Sequence, residues 1–296
     1  MVKRSSSRSM AKVFIHLVFI VFCLLCILPL FSIISTSFSS ESDIIHHGYQ
    51  LIPFQFTTAA YKYIFLNPGL IFNAYTVTIS VTVLGTILSL AIISMIAYAL
   101  SRPDFRYRNI IAVIVAFTML FNGGMVPWYI IVSNVLMLKN TFWVLILPYL
   151  ANAWFILLLR TFFQKIPISL IESVKLDGAG ELRIFLHIII PLSTPGLATI
   201  ALFIALQYWN DWYLAFMFIQ NQHLVPLQYM LSNMLNNITY LTQNASVMPG
   251  GLNPANMPRE SARMAMCLLA AGPMLFVFPF FQKYFVQGLT VGSIKG

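Results

Sequence analysis

Six long apolar runs decide what this chain can fold into. The first, residues 13–34, holds 22 residues without a charge, enough for a helix to cross about 30 Å of hydrocarbon. In all six runs the apolar residues are continuous rather than alternating, which indicates helices and not the strands of a barrel. The sequence therefore predicts an all-α integral membrane protein with six transmembrane helices. The other five runs are residues 70–100, 110–132, 142–159, 196–219 and 264–281.

Composition supports this interpretation, because 59% of the 296 residues are hydrophobic and only 8% are charged. A soluble domain carries about 25% charged residues, so this chain has too little polar surface to face water on all sides. A cleaved signal peptide is the alternative for the first run. The apolar region of such a peptide is about 7–15 residues long, and the longer run here favours a retained span.

The basic residues separate the two faces of the membrane. Six spans place both termini on one side, and thirteen of the 17 Lys and Arg residues lie on that side. Because cytoplasmic loops carry an excess of Lys and Arg, both termini are predicted to be cytoplasmic. This topology explains the net charge of +9 without a nucleic-acid partner. The predicted domains are a cytoplasmic arm at 1–12, a six-span domain at 13–281 with a long external loop at 220–263, and a cytoplasmic tail at 282–296.

One stretch between the fourth and fifth spans, residues 167–195, is charged, interrupted by glycines and too short to cross the membrane. Ser169 and Glu172 have the S-x-x-E spacing of a capping box, which predicts a helix that begins directly after Ser169. Gly178 and Gly180 predict the end of that helix after about two turns, since glycine reaches the left-handed conformation of a helix C-terminus.

A second short helix is expected over residues 181–190, where Pro191 ends it or leads into the next span. With the first, it makes two short amphipathic helices at a glycine elbow. The predicted topology places this pair in the cytoplasm, where another protein can push it.

The same stretch resembles the EAA loop of ATP-binding-cassette (ABC) importer permeases. That loop has the pattern E-A-A, three residues, G, nine residues, I-x-L-P, and here Glu172-Ser-Val, Gly178 and Ile188-Ile-Ile-Pro191 stand at the same spacing. Ser173, Val174 and Ile190 are mild departures from it. The segments LDGAGELRIFLHIIIPLS, FNGGMVPWYI, ALQYWNDWY and PFFQKYFVQGLTVGSIKG resemble the carbohydrate branch, which is MalG-like, and within it the LplC/YtcP type of oligosaccharide permease.

This resemblance covers nearly the whole chain and implies the type I ABC importer permease fold. The pair of short helices is then the coupling (EAA) helix pair, which seats in a groove on an ATPase subunit and tilts the spans when the ATPase pair closes. The implied coupling residues are Glu172, Ser173, Lys175, Asp177, Gly178, Glu181 and Arg183. A solvated surface helix is the alternative.

The resemblance also implies that the C-terminal tail reaches into the ATPase dimer, and a frayed end is the alternative. The implied contacts are Gln287, Gly288, Gly292 and Lys295.

Asp211 is the only acidic residue that these boundaries place inside the membrane. A charged Asp at the centre of a spanning helix costs about 2.5–3.5 kcal/mol and usually faces a cavity or a partner. Gln207 and Asn210 share its helical face, and aromatic neighbours suit the C–H face of a sugar. An aromatic belt with an acid near the external interface is the alternative. The candidates for a translocation cavity are Gln207, Tyr208, Trp209, Asn210, Asp211 and Trp212, with Asn122, Trp128, Asn152 and Trp154 as weaker candidates better explained by packing or helix ends.

Other function classes find little support. The sequence contains no G-x-x-x-x-G-K-[ST], H-E-x-x-H or G-x-S-x-G motif, so a non-catalytic chain without a cofactor of its own is expected, with ATP-Mg on partner subunits. His16 and His187 have no second ligand at regular spacing, so no metal site is expected. An ion-coupled secondary transporter usually has several buried acids and repeated halves, and a scaffold would leave Asp211 unexplained. Both alternatives stay open.

The resemblance thus implies a permease subunit of an ATP-driven oligosaccharide importer in a bacterial inner (plasma) membrane. The implied partners are a second homologous permease subunit, two ATPase subunits and an extracytoplasmic solute-binding protein, with lipid around the spans. The branch includes importers of uronate oligomers such as alginate or pectin fragments. The sequence leaves the sugar open, and an importer of another solute class is the alternative.

Overall fold

The computed structural model describes residues 4–243 and 258–290, and every named element in these residues is helical. The α-helices, in chain order, are α1 (Arg4–Ser37), α2 (Glu41–His47), α3 (Ala59–Ile64), α4 (Pro68–Ser101), α5 (Arg108–Leu120), α6 (Met125–Ile130), α7 (Ala153–Phe163), α8 (Ile168–Leu176), α9 (Glu181–Ile184), α10 (Ile190–Leu192), α11 (Thr194–Trp209), α12 (Tyr213–Phe218), α13 (Leu227–Gln243) and α14 (Glu260–Thr290). π-Helical turns cover Ile131–Val135 and Phe185–Ile189, and 3-10 turns cover Phe142–Leu145, Leu147–Tyr149 and Gln222–Leu224.

Three stretches are long and apolar enough to cross a membrane without a bend, namely Lys12–Ser37, Pro68–Ser101 and Glu260–Phe280. Three further candidates are pairs of segments bent at a short break. Counting each pair as one span gives six in the described part of the chain, which is the number predicted. The pairs are Arg108–Leu120 with Met125–Val135 at 111°, Phe142–Tyr149 with Ala153–Phe163 at 51°, and Glu181–Leu192 with Thr194–Trp209 at 84°.

The described residues of one compact unit are 69–230 with 273–290, and its core includes the fully buried side chains of Ile93, Leu159 and Leu214. Helix packing is close where small residues let backbones approach. A Cβ added at Gly85 in α4 would lie 2.7 Å from the ring of Tyr208 in α11.

The described residues of the other unit are 4–68 with 231–243 and 258–272. In it the carboxylate of Glu41 accepts hydrogen bonds from the backbone N–H of Glu260, at 3.0 and 3.1 Å, and of Ser261, at 3.3 Å. A carboxylate at this position satisfies the free N–H groups at the N-terminus of α14 and opposes its dipole. The stretch predicted as the external loop 220–263 contains the 17-residue helix α13.

The prediction of one continuous helix over 196–219 is wrong, because α11 ends at Trp209 and α12 begins at Tyr213. Two polar side chains make the break. The amide Nδ2 of Asn210 donates to Leu206 O at 2.9 Å, and Oδ2 of Asp211 accepts from Leu214 N at 3.1 Å. Such local bonds offer the backbone an alternative to the helical ladder.

Candidate functional site

The loop between the fourth and fifth candidate spans contains the predicted elbow. Helix α8 ends in a Schellman motif, in which Ala179 N donates to Val174 O at 3.2 Å and Gly178 N to Lys175 O at 3.0 Å. Gly178 has φ +80°, the left-handed conformation that glycine adopts without strain. Gly180 has φ −72° and stands before α9, so only Gly178 makes the turn.

The predicted capping box is not formed. Helix α8 begins at Ile168 after Pro167, which has no side-chain cap, and Ser169 lies inside the first turn. Pro167 has a fixed φ, and its carbonyl oxygen accepts from Leu170 N at 3.2 Å, so the turn closes before Ser169 is reached. The second helix departs less from prediction: Pro191 continues it, and the chain turns at Ser193 before α11.

An ion cluster joins the two short helices to the segment between α4 and α5. Nζ of Lys175, near the end of α8, lies 2.7 Å from Glu181 Oε1 and 2.7 Å from Asp104 Oδ2. Nη2 of Arg102 lies 2.9 Å from the same Asp104 oxygen and 3.6 Å from Glu181 Oε1. Tyr98, near the end of α4, donates its hydroxyl hydrogen to Glu181 Oε2. We call these five residues the elbow cluster.

The electrostatics of the elbow cluster follow from its alternating charges. The ammonium group of Lys175 and the guanidinium group of Arg102 hold the pKa of Asp104 down to about 2. Lys175 donates hydrogen bonds to Asp104 and Glu181, and these bonds raise its pKa. Asp104 and Lys175 are therefore both charged at neutral pH. Arg102 is 7% exposed, so the cluster is fixed on one side against the protein interior.

The two short helices have an inner and an outer face. Ile171 and Ile184 are buried on the inner face. On the outer face Leu176 is 89% exposed and Leu182 is 68% exposed, one on each side of the elbow. Two large apolar side chains this exposed beside a charged turn favour a surface that binds another protein.

The predicted coupling residues divide into two groups. Lys175 and Glu181 belong to the elbow cluster. The others lie on the exposed surface of the loop and form no ion pair with a described residue. They are Glu172, Ser173, Asp177, Gly178 and Arg183. Sequence reasoning missed Tyr98, Arg102 and Asp104. The sequence feature that could have drawn attention to this segment is Asp104, a single acid within the basic turn SRPDFRYRN.

A cavity of about 340 Å³ lies where three chain breaks meet. The breaks are those between α5 and α6, before α7, and between α11 and α12. Asn122 Oδ1 accepts from Gly124 N at 3.0 Å at the first, and Asn152 Oδ1 accepts from Trp154 N at 2.9 Å at the second. The lining residues are Asn122, Gly124, Met125, Trp128, Pro148, Tyr149 and Tyr213.

The structure places the predicted cavity residues differently. Tyr208 and Trp209 are buried, and the Tyr208 hydroxyl donates to Ile146 O at 3.0 Å, next to Ser89 Oγ at 3.0 Å. Asp211 stands just behind the cavity wall, where its Oδ1 accepts from the hydroxyl of the lining residue Tyr149 at 3.1 Å. None of the main candidates for a translocation cavity lines this cavity. These candidates are Gln207, Tyr208, Trp209, Asn210, Asp211 and Trp212. The weaker candidates Asn122 and Trp128 line it, whereas Asn152 is a helix cap.

Two of the four predicted contacts of the C-terminal tail lie within the described residues. Gln287 and Gly288 belong to α14. Gly292 and Lys295 lie outside the described residues. Within residues 4–243 and 258–290, no group of three or more His, Cys, Asp or Glu side chains is placed to hold a metal ion.

Comparison with known proteins covers most of the chain. The profile of the family described as binding-protein-dependent transport system inner membrane component matches residues 89–291. The chain is 39% identical to the polygalacturonan/rhamnogalacturonan transport system permease protein YtcP of Bacillus subtilis, over 90% of this chain and 92% of that protein. It is 37% identical to protein LplC of the same organism, over 90% and 89%.

A solved structure shows the same fold. A chain from the crystal structure of a bacterial ABC transporter involved in the import of the acidic polysaccharide alginate matches with a TM-score of 0.76 and 30% identity, over 96% of this chain and 99% of that one. The matched family segment contains the elbow, the elbow cluster and the cavity described above. The chain belongs to the family of inner membrane components of binding-protein-dependent transport systems, the permeases of ABC importers.

Proposed function

We propose that this chain is the permease subunit of an ATP-driven importer of oligosaccharides, and that residues 167–195 receive the force from an ATPase subunit. The observation that carries the coupling role is the left-handed turn at Gly178, with Leu176 and Leu182 exposed on its two sides. A partner that covers these two leucines removes apolar surface from water, which favours docking. Glu172, Asp177 and Arg183 then add charged contacts at the rim.

The relatives support an acidic oligosaccharide as the substrate class. YtcP is named for polygalacturonan and rhamnogalacturonan, and the similar solved structure is that of an importer of alginate. Polygalacturonan and alginate are polymers of uronic acids, and rhamnogalacturonan contains a uronic acid. The proposed substrate is therefore a uronate oligomer, such as a fragment of pectin or alginate, delivered by a solute-binding protein.

Family membership makes the chain an inner membrane component that works with an ATPase and a solute-binding protein. We further propose that it pairs with a second, homologous permease and two ATPase copies, which bind ATP-Mg. Both termini are then cytoplasmic, as the excess of Lys and Arg on their side favours. Residues 287–296 lie on the same side and are proposed to contact the ATPase pair.

The test is uptake by the complete complex in proteoliposomes, with oligogalacturonate, oligomannuronate and neutral malto-oligosaccharide offered separately. We expect ATP-dependent uptake of a uronate oligomer, and co-purification of this chain with a second permease and an ATPase. Uptake by this chain alone under an ion gradient would overturn the proposal in favour of a secondary transporter. Uptake of the neutral oligomer alone would overturn the substrate class.

A further inference from the structure

The cavity of about 340 Å³ has the position and size of a ligand site. Its lining residues lie in or beside three breaks within or next to candidate spans. In a membrane protein non-helical backbone is tolerated where it is buried in protein or lines a cavity. Ligand pockets measure about 300–1,000 Å³, so this volume suits a short part of an oligosaccharide rather than the whole chain.

The walls of the cavity have the two chemistries that a sugar ring presents. The rings of Trp128 and Tyr213 are stacked on each other, 15° apart with centroids separated by 6.0 Å, and the outer face of this stack forms an aromatic platform. The negative face of an aromatic ring attracts the weakly positive C–H groups on the face of a pyranose. Asn122 uses its Oδ1 for Gly124 N, which leaves its Nδ2 with two hydrogens to donate to sugar hydroxyl groups.

Tyr149 is held in the wall by Asp211. The Tyr149 hydroxyl donates to Asp211 Oδ1 at 3.1 Å, and Leu214 N donates to Oδ2 of the same carboxylate at 3.1 Å. Asp211 thus ties Tyr149 to the start of α12, next to Tyr213 of the platform. It acts through Tyr149 and is a positioning residue.

We propose that this cavity is a sugar subsite on the translocation path. The outer face of the Trp128–Tyr213 stack packs against the C–H face of one sugar ring, Asn122 donates to its hydroxyl groups, and Asp211 fixes Tyr149 at its edge. This inference rests on the proposed oligosaccharide import and adds where on this subunit the sugar is held.

Protection of a cysteine tests the subsite by binding rather than by transport. Cys23, Cys26 and Cys267 are replaced by alanine, and Asn122→Cys is introduced into the complete complex. Labelling by a water-soluble maleimide is followed at increasing concentrations of the transported oligosaccharide, without binding protein and with or without ATP-Mg. We expect the sugar to slow labelling at position 122.

Variants of the platform give the contrast. Trp128→Ala is expected to raise the sugar concentration for half protection about tenfold, which corresponds to about 1.4 kcal/mol, and Trp128→Phe to raise it less. Trp154→Ala is the matched control, since Trp154 packs on Phe155 and Phe203 outside the cavity. Asp211→Leu is expected to weaken protection, and Asp211→Asn, which keeps an oxygen acceptor, to restore it.

The outcomes separate the subsite from the proposed function. If the complex imports an oligosaccharide but that sugar does not protect position 122, or if Trp128→Ala and Trp154→Ala shift protection equally, the subsite is overturned and the import function stands. If the wild-type complex imports none of the oligosaccharides offered, the proposed function is overturned and the subsite with it.

Discussion

Lys175 and Glu181 stand on opposite sides of the Gly178 turn, and Nζ of the first lies 2.7 Å from Oε1 of the second. The pair therefore spans the elbow and ties the end of α8 to the start of α9. The same Nζ reaches Asp104, 71 residues earlier in the chain, at 2.7 Å. A force applied to the elbow thus has a direct path to the segment that follows α4, in addition to the covalent path through α11.

We predict that loosening the elbow cluster lowers the amount of substrate imported per ATP hydrolysed. Lys175→Ala removes two ion pairs, and Glu181→Ala removes one of the same two, so their effects should be less than additive. Because the two side chains are 37% and 51% exposed, the coupling energy should be only about 0.2–1 kcal/mol. A double-mutant cycle on the thermal stability of the complex, with import and hydrolysis measured in parallel, checks this.

Arg106→Ala is the matched control for that cycle, since Arg106 is an exposed cation between α4 and α5 that belongs neither to the elbow cluster nor to the proposed ATPase contacts. Full additivity of Lys175→Ala and Glu181→Ala, with an unchanged transport ratio, would contradict the role given to the cluster.

The stabilisation from Asp104 should depend on pH in one direction. Its pKa is lowered from 3.8 to about 2 in the folded protein, so its contribution is complete above its ordinary pKa and is lost as the pH falls from about 4 towards 2. Lys175, whose pKa is raised, keeps its charge throughout that range. The difference in melting temperature between wild type and Asp104→Asn should stay constant from pH 5 to pH 9. It should shrink below about pH 4, and a difference that grows there would contradict the assignment.

Gly178 and Gly180 should respond differently to the same substitution. No atom lies within 4 Å of a Cβ built at either position, so the difference comes from the backbone alone. At φ +80° alanine costs about 1–2 kcal/mol, whereas at φ −72° it fits without strain. Gly178→Ala, and Gly178→Val more strongly, should leave the chain inserted but reduce import and its coupling to ATP hydrolysis. Gly180→Ala should preserve both, and equal loss in the two variants would exclude the elbow as the cause.

Local signals made the elbow predictable, because the motif spacing and the glycines lie within one short stretch. The breaks in the spans were unevenly visible. Asn122-Gly-Gly124 interrupts the third run in the sequence itself, whereas Asn152 and Asp211 each form their decisive hydrogen bond with a backbone N–H two or three residues away. In the sequence such residues look like polar positions of a continuous helix. Asp104 stands out in the sequence as a single acid in a basic turn, but its contact with Lys175 could not be predicted, because their proximity depends on the packing of α4 against the loop and not on any spacing between them.

Tyr208 shows how a residue predicted to line a cavity becomes part of the helix packing. Its ring fills the space at Gly85, and its hydroxyl reaches Ile146 O and Ser89 Oγ, both at 3.0 Å. Gly85→Ala places a Cβ 2.7 Å from this fixed ring, so overpacking should destabilise the complex by about 1–3 kcal/mol. Gly69→Ala, in the first turn of the same helix with nothing within 4 Å of the new Cβ, should be neutral.

Tyr208→Phe completes this test, because it keeps the ring and removes the hydroxyl. Ile146 O then loses the donor that it has in Tyr208, and a loss of about 1 kcal/mol is expected in thermal unfolding. Protection of Asn122→Cys by the oligosaccharide should not change, since Tyr208 does not line the cavity. If the Tyr208→Phe complex had normal stability but needed more sugar for protection, Tyr208 would lie on the translocation path. A role in packing alone would then be excluded.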